Sequence, residues 1–451
     1  MPEDVDAIII GSGQGGIPLA LHLADRGKRV ALFERDHFGG SCVNYGCTPS
    51  KAFLAAAHGA GRARDAAALG VHCEVRVDQA AAMERVRAVR GEWRDGSAAK
   101  LESSNVELVR AEARFTAART VAGGGRELRA PLVVIDTGTS ATIPLIAGIE
   151  AVPYLTNVTW WEQLALPKRL VVLGGGYIGL ELGQGARRLG CEVTIADAGE
   201  RVMSEEAPEV SKVLRAALEA DGVRFELGAR AVSASYDGAT VALVLESGTT
   251  LEGDALLVAA GRTPNTKALD CAKSGIELEP NGMVRVDEFL HTTCEGVYAL
   301  GDVAGQPAFT HVSWEDYRRL VSTLACTPRR RDDRVLSYAA FTEPQLGRTG
   351  LSESQAKGLG IAAKSATVQL SDVARGTEWN LERGYFTIVI DTASDRIVGA
   401  TFVGYEAGEL IHVITALVEM RATWQDLDRQ MYVHPTFAEG LPGLARQFEA
   451  E

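Results

Sequence analysis

A glycine-rich turn directly after an apolar strand is the feature that most restricts the fold of this chain. Residues 5–10 are rich in β-branched side chains, which is typical of a strand buried on both faces of a parallel sheet. Gly11, Gly13 and Gly16 follow as G-x-G-x-x-G and lead into a segment of helical spacing that ends at Gly27. Such glycines let the backbone approach a pyrophosphate, whose charge faces the helix N-terminus. The pattern predicts a dinucleotide site.

An acidic residue completes this pattern about 20 residues past the glycines. Residues 29–33 form a second apolar strand that ends at Glu34. A carboxylate at this place is expected to accept a hydrogen bond from a ribose hydroxyl. A turn that binds nothing is the alternative, but the strand, the helix and the acid together favour a nucleotide.

The same strand, glycine loop and helix occur a second time. Residues 170–173 are apolar, and Gly174, Gly176 and Gly179 follow them before a helical segment and a further strand at 192–195. Because the chain carries two such patterns, we expect it to hold two dinucleotides, one bound and one exchanging.

The acid of the second pattern predicts which nicotinamide cofactor is used. Asp197 lies at the end of the strand, where a carboxylate accepts from a free 2′-hydroxyl and repels a 2′-phosphate. NADH is therefore expected to be preferred over NADPH, although the nearby Arg201 would soften that preference. A solvated loop acid is the alternative interpretation of Asp197.

Two cysteines lie five positions apart shortly after Glu34. Cys42 and Cys47 would close a ring small enough for a disulfide if the backbone between them turns into a helix, which Gly46 and Pro49 permit. Two unrelated buried thiols are the alternative, since free cysteine is among the most buried residue types. Beside a dinucleotide site, a redox pair points to electron transfer.

The composition excludes several classes of protein. With 451 residues the chain is too long for one hydrophobic core, and its net charge of −13 disfavours nucleic acid or an anionic membrane as the main partner. No stretch approaches the ~20 apolar residues of a membrane span, and the N-terminus lacks the features of a signal peptide. We expect a cytoplasmic protein, in which a Cys42–Cys47 bond would be catalytic rather than structural.

Further segments are predicted around these sites. Helices are expected at 52–69 and 79–101, and three apolar strands are expected to end in turns that carry candidate ligand-binding residues. These residues are Thr137 and Gly138 after 132–135, Gly261 and Arg262 within 255–265, and Asp302 after 297–300. The run 327–333 is predicted to be an exposed connector, followed by a mixed segment of strands and a helix.

Two pairs of polar residues remain. His434 and Glu439 are five apart around a proline, so the acid is placed to orient the imidazole for general acid or base catalysis. A structural histidine is the alternative. Tyr177 and Glu181 share one face of the second helix and are placed to project toward a cofactor, with an ordinary exposed glutamate as the alternative.

Taken in order, the motifs resemble those of the class I pyridine nucleotide-disulfide oxidoreductases across essentially the whole chain. They are the two glycine fingerprints, Gly-Gly-Ser-Cys-x4-Cys-x-Pro-Ser-Lys, a Gly-Asp pair and a terminal His-Pro-Thr-x-x-Glu. The resemblance implies an α/β fold with two Rossmann-like dinucleotide-binding domains, for FAD and NAD, plus a C-terminal α+β dimerisation domain. The expected domains are FAD at 1–149 and 267–332, NAD at 150–266 and the interface at 333–451.

The resemblance also implies residue roles. Cys47 would face the flavin, Cys42 would exchange with the substrate, and His434 would come from the other subunit of a homodimer. The resemblance also places Gly40, Ser41 and Lys51 in the flavin site and gives Ala113 a backbone contact with the FAD adenine. It implies that Tyr177 is a movable gate over the flavin and that Glu181 lies near the nicotinamide. No metal site is predicted.

The implied activity is electron transfer between NADH, FAD and a Cys42–Cys47 disulfide, with a disulfide or dithiol substrate as in dihydrolipoamide dehydrogenase. Mercuric reductases end in a vicinal cysteine pair, whereas the last cysteine here is Cys326. Reduction of a metal ion, a quinone or an oxidant is the first alternative, and a non-catalytic flavin redox sensor is the second. The substrate itself, a small disulfide or another electron acceptor, is left open.

Overall fold

The chain builds two parallel sheets and a five-stranded antiparallel sheet, described by a computed structural model that covers residues 1–449. The first sheet is parallel throughout, and its central strand is fully buried. Its strands are, in spatial order, Val297–Ala299, Leu132–Ile135, Ala7–Ile10, Val30–Glu34 and Glu107–Arg110. Because Val297–Ala299 pairs with Leu132–Ile135, the chain returns to this sheet after completing the second one.

The second sheet is also parallel and follows the second glycine loop. Its strands are, in spatial order, Arg224–Leu227, Glu192–Asp197, Arg169–Leu173 and Ala255–Val258. Helices Tyr177–Arg188 and Pro208–Ala220 belong to this unit. The strand predicted at 192–195 therefore extends to Asp197, and this acid is its last residue.

The C-terminal unit is a five-stranded antiparallel sheet with helices, as the α+β prediction requires. Its strands are, in spatial order, Ser337–Ala340, Gln345–Gly350, Arg396–Gly404, Tyr385–Asp391 and Ala363–Gln369. Its helices are Glu353–Gly358, Ala374–Glu378, Ala407–Glu419, Trp424–Asp428 and Gly440–Ala445. The fold class predicted from the sequence is confirmed. The predicted domain bounds stay a prediction, and residues 450 and 451 of the last domain lie outside the described part of the chain.

Three small sheets complete the structure. One sheet has four strands, Glu3–Asp4, Arg126–Arg129, Thr120–Gly123 and Arg114–Ala117, and another has three, Ala231–Tyr236, Val241–Leu245 and Thr250–Gly253. The third pairs Thr139–Ala141 with Arg262–Pro264. The predicted single strand at 255–265 was wrong at its end, because the chain leaves the second sheet at Val258 and forms this separate antiparallel pair.

The remaining helices of more than eight residues are Gly16–Ala24, Cys47–Asp65, Gln79–Glu102 and Thr310–Leu324. The helix predicted to begin at residue 52 begins at Cys47 instead, and Ala66–Leu69 is a separate 3-10 turn. Pro49 is tolerated in the first turn because the backbone amides there have no helical partner to lose. Within residues 1–449, no helix is long and apolar enough to cross a membrane.

The helix that begins at Cys47 is fixed to the second glycine-loop unit through Phe53. This ring is fully buried and meets the rings of Trp160 and Trp161 edge-on, each at 6.0 Å between centroids. A Cβ atom at Gly185 would lie 2.4 Å from the Phe53 ring, so only glycine allows this approach to helix Tyr177–Arg188. The cysteine helix and the second nucleotide unit are thereby held in one packed core.

Candidate functional site

The first glycine loop is tightly packed against the end of strand Leu132–Ile135. A Cβ atom at Gly11 would lie 2.3 Å from the Asp136 carbonyl oxygen, and one at Gly16 would lie 2.3 Å from the Gly11 carbonyl oxygen. Gly11 also has a φ of 103°, which favours glycine. Larger residues at these positions would displace the loop, so the packing of the loop itself requires Gly11 and Gly16 even without a ligand.

Glu34 closes this loop from the neighbouring strand. One carboxylate oxygen accepts from the Ser12 amide at 3.0 Å and from the Ser12 hydroxyl at 2.6 Å, and the other accepts from the Asp36 amide at 2.8 Å. The predicted ribose acceptor thus lies at the strand end and is already hydrogen-bonded to the loop.

A long cleft of about 1510 Å³ runs from this loop to the cysteines. It brings together most of the residues predicted for catalysis and cofactor binding: Gly11, Gly13, Glu34, Gly40, Ser41, Cys42, Cys47, Lys51, Ala113, Thr137, Gly138, Tyr177, Glu181, Arg262 and Asp302. Eight predicted residues do not line it: Gly16, Gly174, Gly176, Gly179, Asp197, Gly261, His434 and Glu439.

The two cysteines lie side by side in this cleft. Cys42 belongs to the short helix Gly40–Asn44, and Cys47 is the first residue of the helix that follows it. Both are free thiols. Asn44, which the sequence analysis missed, holds the turn together, since its side-chain amide donates to the Phe38 and Gly40 carbonyls at 3.0 Å each.

The surroundings of the two thiols favour a thiolate on Cys47. A hydrogen bond with Cys42 lowers the pKa of Cys47 to about 6, and Thr310 and the Lys51 ammonium act in the same direction, while burial opposes them. The Cys47 Sγ lies 3.1 Å from Thr310 Oγ1. The same hydrogen bond, together with burial, raises the pKa of Cys42. A helix N-terminus also favours the Cys47 thiolate.

Lys51 and Glu181 form an ion pair across the cleft, with 2.9 Å between Nζ and Oε2. The Glu181 side chain is only 4% exposed, and its other oxygen accepts from the Phe341 amide at 2.8 Å. Lys51 Nζ also lies 4.5 Å from the centre of the Phe341 ring. The alternative of an ordinary exposed glutamate is therefore wrong, since a buried carboxylate with these partners is held in one place.

Tyr177 is the first residue of helix Tyr177–Arg188, and its ring lies in a row of aromatic rings. Its centroid lies 5.8 Å from that of Phe309, which stacks on Tyr338 at 5.0 Å. The Tyr177 hydroxyl donates to the Ala308 carbonyl at 3.5 Å, and burial raises its pKa. Because this hydrogen bond is long, little polar interaction holds the ring in place.

Asp302 is fixed by two neighbours in the cleft. Its Oδ2 accepts from the Thr139 hydroxyl at 2.7 Å and lies 3.5 Å from Arg262 Nε. Arg262 in turn donates to the Thr139 hydroxyl at 2.6 Å and to the Thr139 carbonyl at 2.9 Å. The small sheet formed by Thr139–Ala141 and Arg262–Pro264 therefore positions Asp302, one of the candidate ligand-binding residues.

The second glycine loop repeats the geometry of the first. Asp197 accepts from the Gly175 amide at 2.5 Å and from the Gly199 amide at 2.6 Å, just as Glu34 accepts from Ser12. In both loops the acid follows its amide donor by 22 residues. Arg201 donates to the backbone carbonyls of Ser204 and Glu206 at 3.3 Å. Its guanidinium is thus engaged with the backbone.

His434 and Glu439 lie together at the surface of the C-terminal unit. Glu439 Oε2 lies 2.6 Å from His434 Nδ1, and the histidine side chain is 73% exposed while the carboxylate is 19% exposed. Neither residue lines the cleft of its own chain. The acid thus orients the imidazole as the spacing indicated, but the pair is apart from the cysteines of the same subunit.

Asp136 is a buried acid of the site that was not predicted from the sequence. Its Oδ2 accepts from the Gly16 amide at 2.6 Å and its Oδ1 from the Ser313 hydroxyl at 3.2 Å. Burial raises the pKa of Asp136 to about 7, and these two hydrogen bonds partly offset the shift. Its position between an apolar strand and Thr137-Gly138 was the only signal in the sequence.

These features fit a flavin dinucleotide in the cleft. The Thr137 hydroxyl lines it and is buried without a hydrogen-bond partner among the described residues, which is the state expected of a group that serves a ligand. The glycine loop and the two thiols both line this cleft. Within the described part of the chain, no group of three or more His, Cys, Asp or Glu residues is arranged to hold a metal ion.

Comparison with known proteins identifies the class. The chain belongs to the pyridine nucleotide-disulphide oxidoreductase family, whose sequence pattern matches residues 5–316, and the dimerisation domain of that family matches residues 336–445. The family is FAD- and NAD(P)-dependent, and the chain is an oxidoreductase of the flavoprotein disulfide type.

Three relatives illustrate the range of the family. A mercuric reductase of Lysinibacillus sphaericus is 33% identical over 100% of this chain and 83% of its own length. A dihydrolipoyl dehydrogenase of Thermus scotoductus is 34% identical over 97% of this chain and 95% of its own length. The solved HOCl-induced flavoprotein disulfide reductase RclA from Escherichia coli is 30% identical, covers 98% of this chain and 99% of that one, and superposes with a TM-score of 0.88.

Proposed function

We propose that this enzyme passes electrons from NADH through the Cys42–Cys47 pair to a disulfide substrate, or in the reverse direction from a dithiol to NAD. The observation that carries this proposal is the position of the two thiols beside each other in the cleft that starts at the first glycine loop. The chemistry that bound FAD supplies is the passage of an electron pair between the nicotinamide and the cysteine disulfide.

The residues of the first unit would hold FAD. The glycine loop and Glu34 would take its pyrophosphate and ribose, Ala113 its adenine end, Asp302 a ribityl hydroxyl and Lys51 its reactive end. These assignments are supported by the residues that line the cleft and by the family match. The second loop would hold the nicotinamide dinucleotide, with Glu181 nearby and Tyr177 as a gate.

The thiol steps follow from the two pKa shifts. Cys42 loses its proton to a base, its sulfur attacks the substrate disulfide, and one substrate sulfur leaves and takes up a proton. The Cys47 thiolate then attacks the Cys42 sulfur of the mixed disulfide, which forms the Cys42–Cys47 bond and releases the second substrate sulfur as a thiolate that takes up a proton from water. Cys47 is ready for this step because its pKa lies at about 6, whereas the raised pKa of Cys42 requires a base.

His434 of a second copy would be that base. Glu439 holds Nδ1, so Nε2 is left to take a proton from Cys42 and to return it to the leaving substrate sulfur. Three observations support a homodimer in which each subunit supplies His434 to the cleft of the other. His434 is exposed, it does not line the cleft of its own chain, and the chain matches a dimerisation domain.

The preference for NADH rests on Asp197. The carboxylate ends the second strand of its unit, and Arg201 donates to backbone carbonyls there. A 2′-phosphate would meet the negative charge of Asp197, whereas a free 2′-hydroxyl would be accepted.

A second candidate is the reduction of a metal ion or an oxidant by the same thiols. It is favoured by the mercuric reductases among the relatives and by the Cu(II) complex of the HOCl-induced flavoprotein disulfide reductase RclA from Escherichia coli, which is 29% identical to this chain.

Steady-state assays with a panel of acceptors separate the candidates. The panel contains lipoamide, glutathione disulfide, coenzyme A disulfide, Hg(II), a quinone and hypochlorite, each with NADH and with NADPH. We expect kcat/KM to be highest for a disulfide and for NADH. Turnover with metal ions or quinones alone would contradict the disulfide proposal, and a higher kcat/KM with NADPH would contradict the role of Asp197.

A further inference from the structure

A second cavity, of about 260 Å³, lies beside the cleft and is bounded by helix Thr310–Leu324 and the connector that follows it. We call it the arginine pocket, because four arginines and two glutamates line it: Arg318, Arg319, Arg329, Arg334, Glu315 and Glu419. The electron route proposed above uses none of these six side chains.

Two guanidinium groups that line the arginine pocket are buried and have N–H donors without an acceptor. The Arg334 side chain is 10% exposed. Its Nε donates to the Arg331 carbonyl at 2.8 Å, and its Nη2 pairs with Asp316. Its Nη1 has no acceptor within residues 1–449. The Arg319 side chain is 3% exposed, and its Nε lies 3.3 Å from a Glu315 oxygen without the geometry of a hydrogen bond. Buried donors without acceptors are rare in folded proteins because they are costly.

Glu315, Asp316 and Asp333 are already paired with arginines, whereas Glu419 is an exposed residue of the pocket lining. Glu315 accepts from Arg318 at 3.0 Å and from Arg329 at 2.8 Å, so one carboxylate is shared among several guanidinium groups. Arg319 Nη1 also pairs with Asp333. Two guanidinium donors of the pocket-lining arginines, Arg319 Nε and Arg334 Nη1, are thus left without an acceptor among the described residues.

We propose that the arginine pocket binds a small oxyanion, a phosphate or a carboxylate group. A planar guanidinium presents paired donors that match the oxygens of either group, and the cavity is far larger than the roughly 30 Å³ that one water takes up. Burial strengthens each charge-assisted hydrogen bond relative to the same bond in water.

The arginine pocket adjoins the substrate cleft. His311 and Ser337 line both cavities, and the His311 Nε2 donates to the Ser337 carbonyl at 2.6 Å in the partition between them. Thr310, next to His311, contacts Cys47. The anion is therefore either the charged end of an electron acceptor or a separate small ion, and its binding does not depend on the proposed function.

Binding of inorganic phosphate to the FAD-loaded dimer tests the site, measured by calorimetry with saturating NAD⁺ so that the second glycine loop is filled. The variants are Arg329→Gln and its matched control Arg330→Gln. The two arginines are neighbours of similar exposure, at 44% and 53%, and only Arg329 lines the pocket. We expect Arg329→Gln to weaken phosphate binding roughly tenfold and the control to leave it unchanged. Absence of saturable binding to the wild type, or an equal loss in both variants, would overturn the proposal.

Kinetics with lipoate and lipoamide distinguish the two sources of the anion, because these disulfides differ in a carboxylate. Phosphate that competes with lipoate but not with lipoamide would assign the pocket to the charged end of the acceptor. Phosphate that binds without competing with either disulfide would assign it to a separate ion. If neither disulfide is turned over, the proposed function fails while the calorimetric result still stands.

Discussion

Replacing Cys42 with serine is expected to lower kcat for disulfide substrates by roughly 10³-fold or more, because the variant lacks the nucleophile that attacks the substrate. The hydroxyl of serine has nearly the same size, so FAD content and the unfolding temperature should stay close to those of the wild type. Steady-state turnover with NADH and the best disulfide of the panel measures the effect.

Two other cysteine variants make this experiment specific. Cys47→Ser retains the attacking thiol but cannot resolve the mixed disulfide, so mass spectrometry should find substrate covalently bound to Cys42. Cys73→Ser removes an exposed thiol outside the cleft and should be as active as the wild type. Wild-type turnover by Cys42→Ser would refute the proposed role of Cys42.

Replacing His434 with alanine is expected to lower kcat by roughly 10² to 10⁴-fold near neutral pH, the range for loss of a general acid or base. Since the pKa of Cys42 is raised, its thiol would then have to ionise unaided, and the residual rate should keep rising with pH where the wild type levels off. The measurement is a pH profile of kcat. The control is His72→Ala, which removes an exposed histidine outside the cleft.

A mixed dimer shows which subunit supplies the histidine. One subunit carries Cys42→Ser and the other carries His434→Ala, with different affinity tags for purification. If His434 acts on the partner's cysteines, one site of the mixed dimer is complete and about half of the wild-type activity should return. If His434 acts within its own chain, both sites are defective and the mixed dimer should be inactive, which would contradict the proposed assembly.

The strands and glycine loops followed from local sequence alone. Apolar runs predicted the buried strands Ala7–Ile10 and Arg169–Leu173, and the acids Glu34 and Asp197 lie where the spacing indicated. The reason is physical, since a glycine loop between a buried strand and a helix leaves the chain few alternatives. The fold class was therefore accessible without coordinates.

The site was only partly accessible, because several of its contacts join distant parts of the chain. Thr310 reaches Cys47 across 263 positions, and Asp136 reaches Gly16 across 120. No periodicity or motif in the sequence connects such pairs. The pairing of Glu181 with Lys51 was likewise not foreseen, although both residues were singled out separately.

The role of His434 and Glu439 could not be predicted from the residues of a single chain. His434 and Glu439 form their contact locally, so the sequence spacing was informative about the pair. The target of the imidazole depends on a second subunit, and the residues that would meet there lie on separate surfaces of the single chain.

Counting thiols before and after anaerobic reduction shows whether Cys42 and Cys47 accept electrons from NADH. The air-oxidised, FAD-loaded enzyme is denatured with and without prior addition of NADH, and its thiols are titrated with a chromogenic disulfide. We predict two more thiols per subunit after NADH, and mass spectrometry of alkylated peptides should assign both to Cys42 and Cys47. An unchanged thiol count would contradict the account, because the cysteines would then lie outside the path of the electrons.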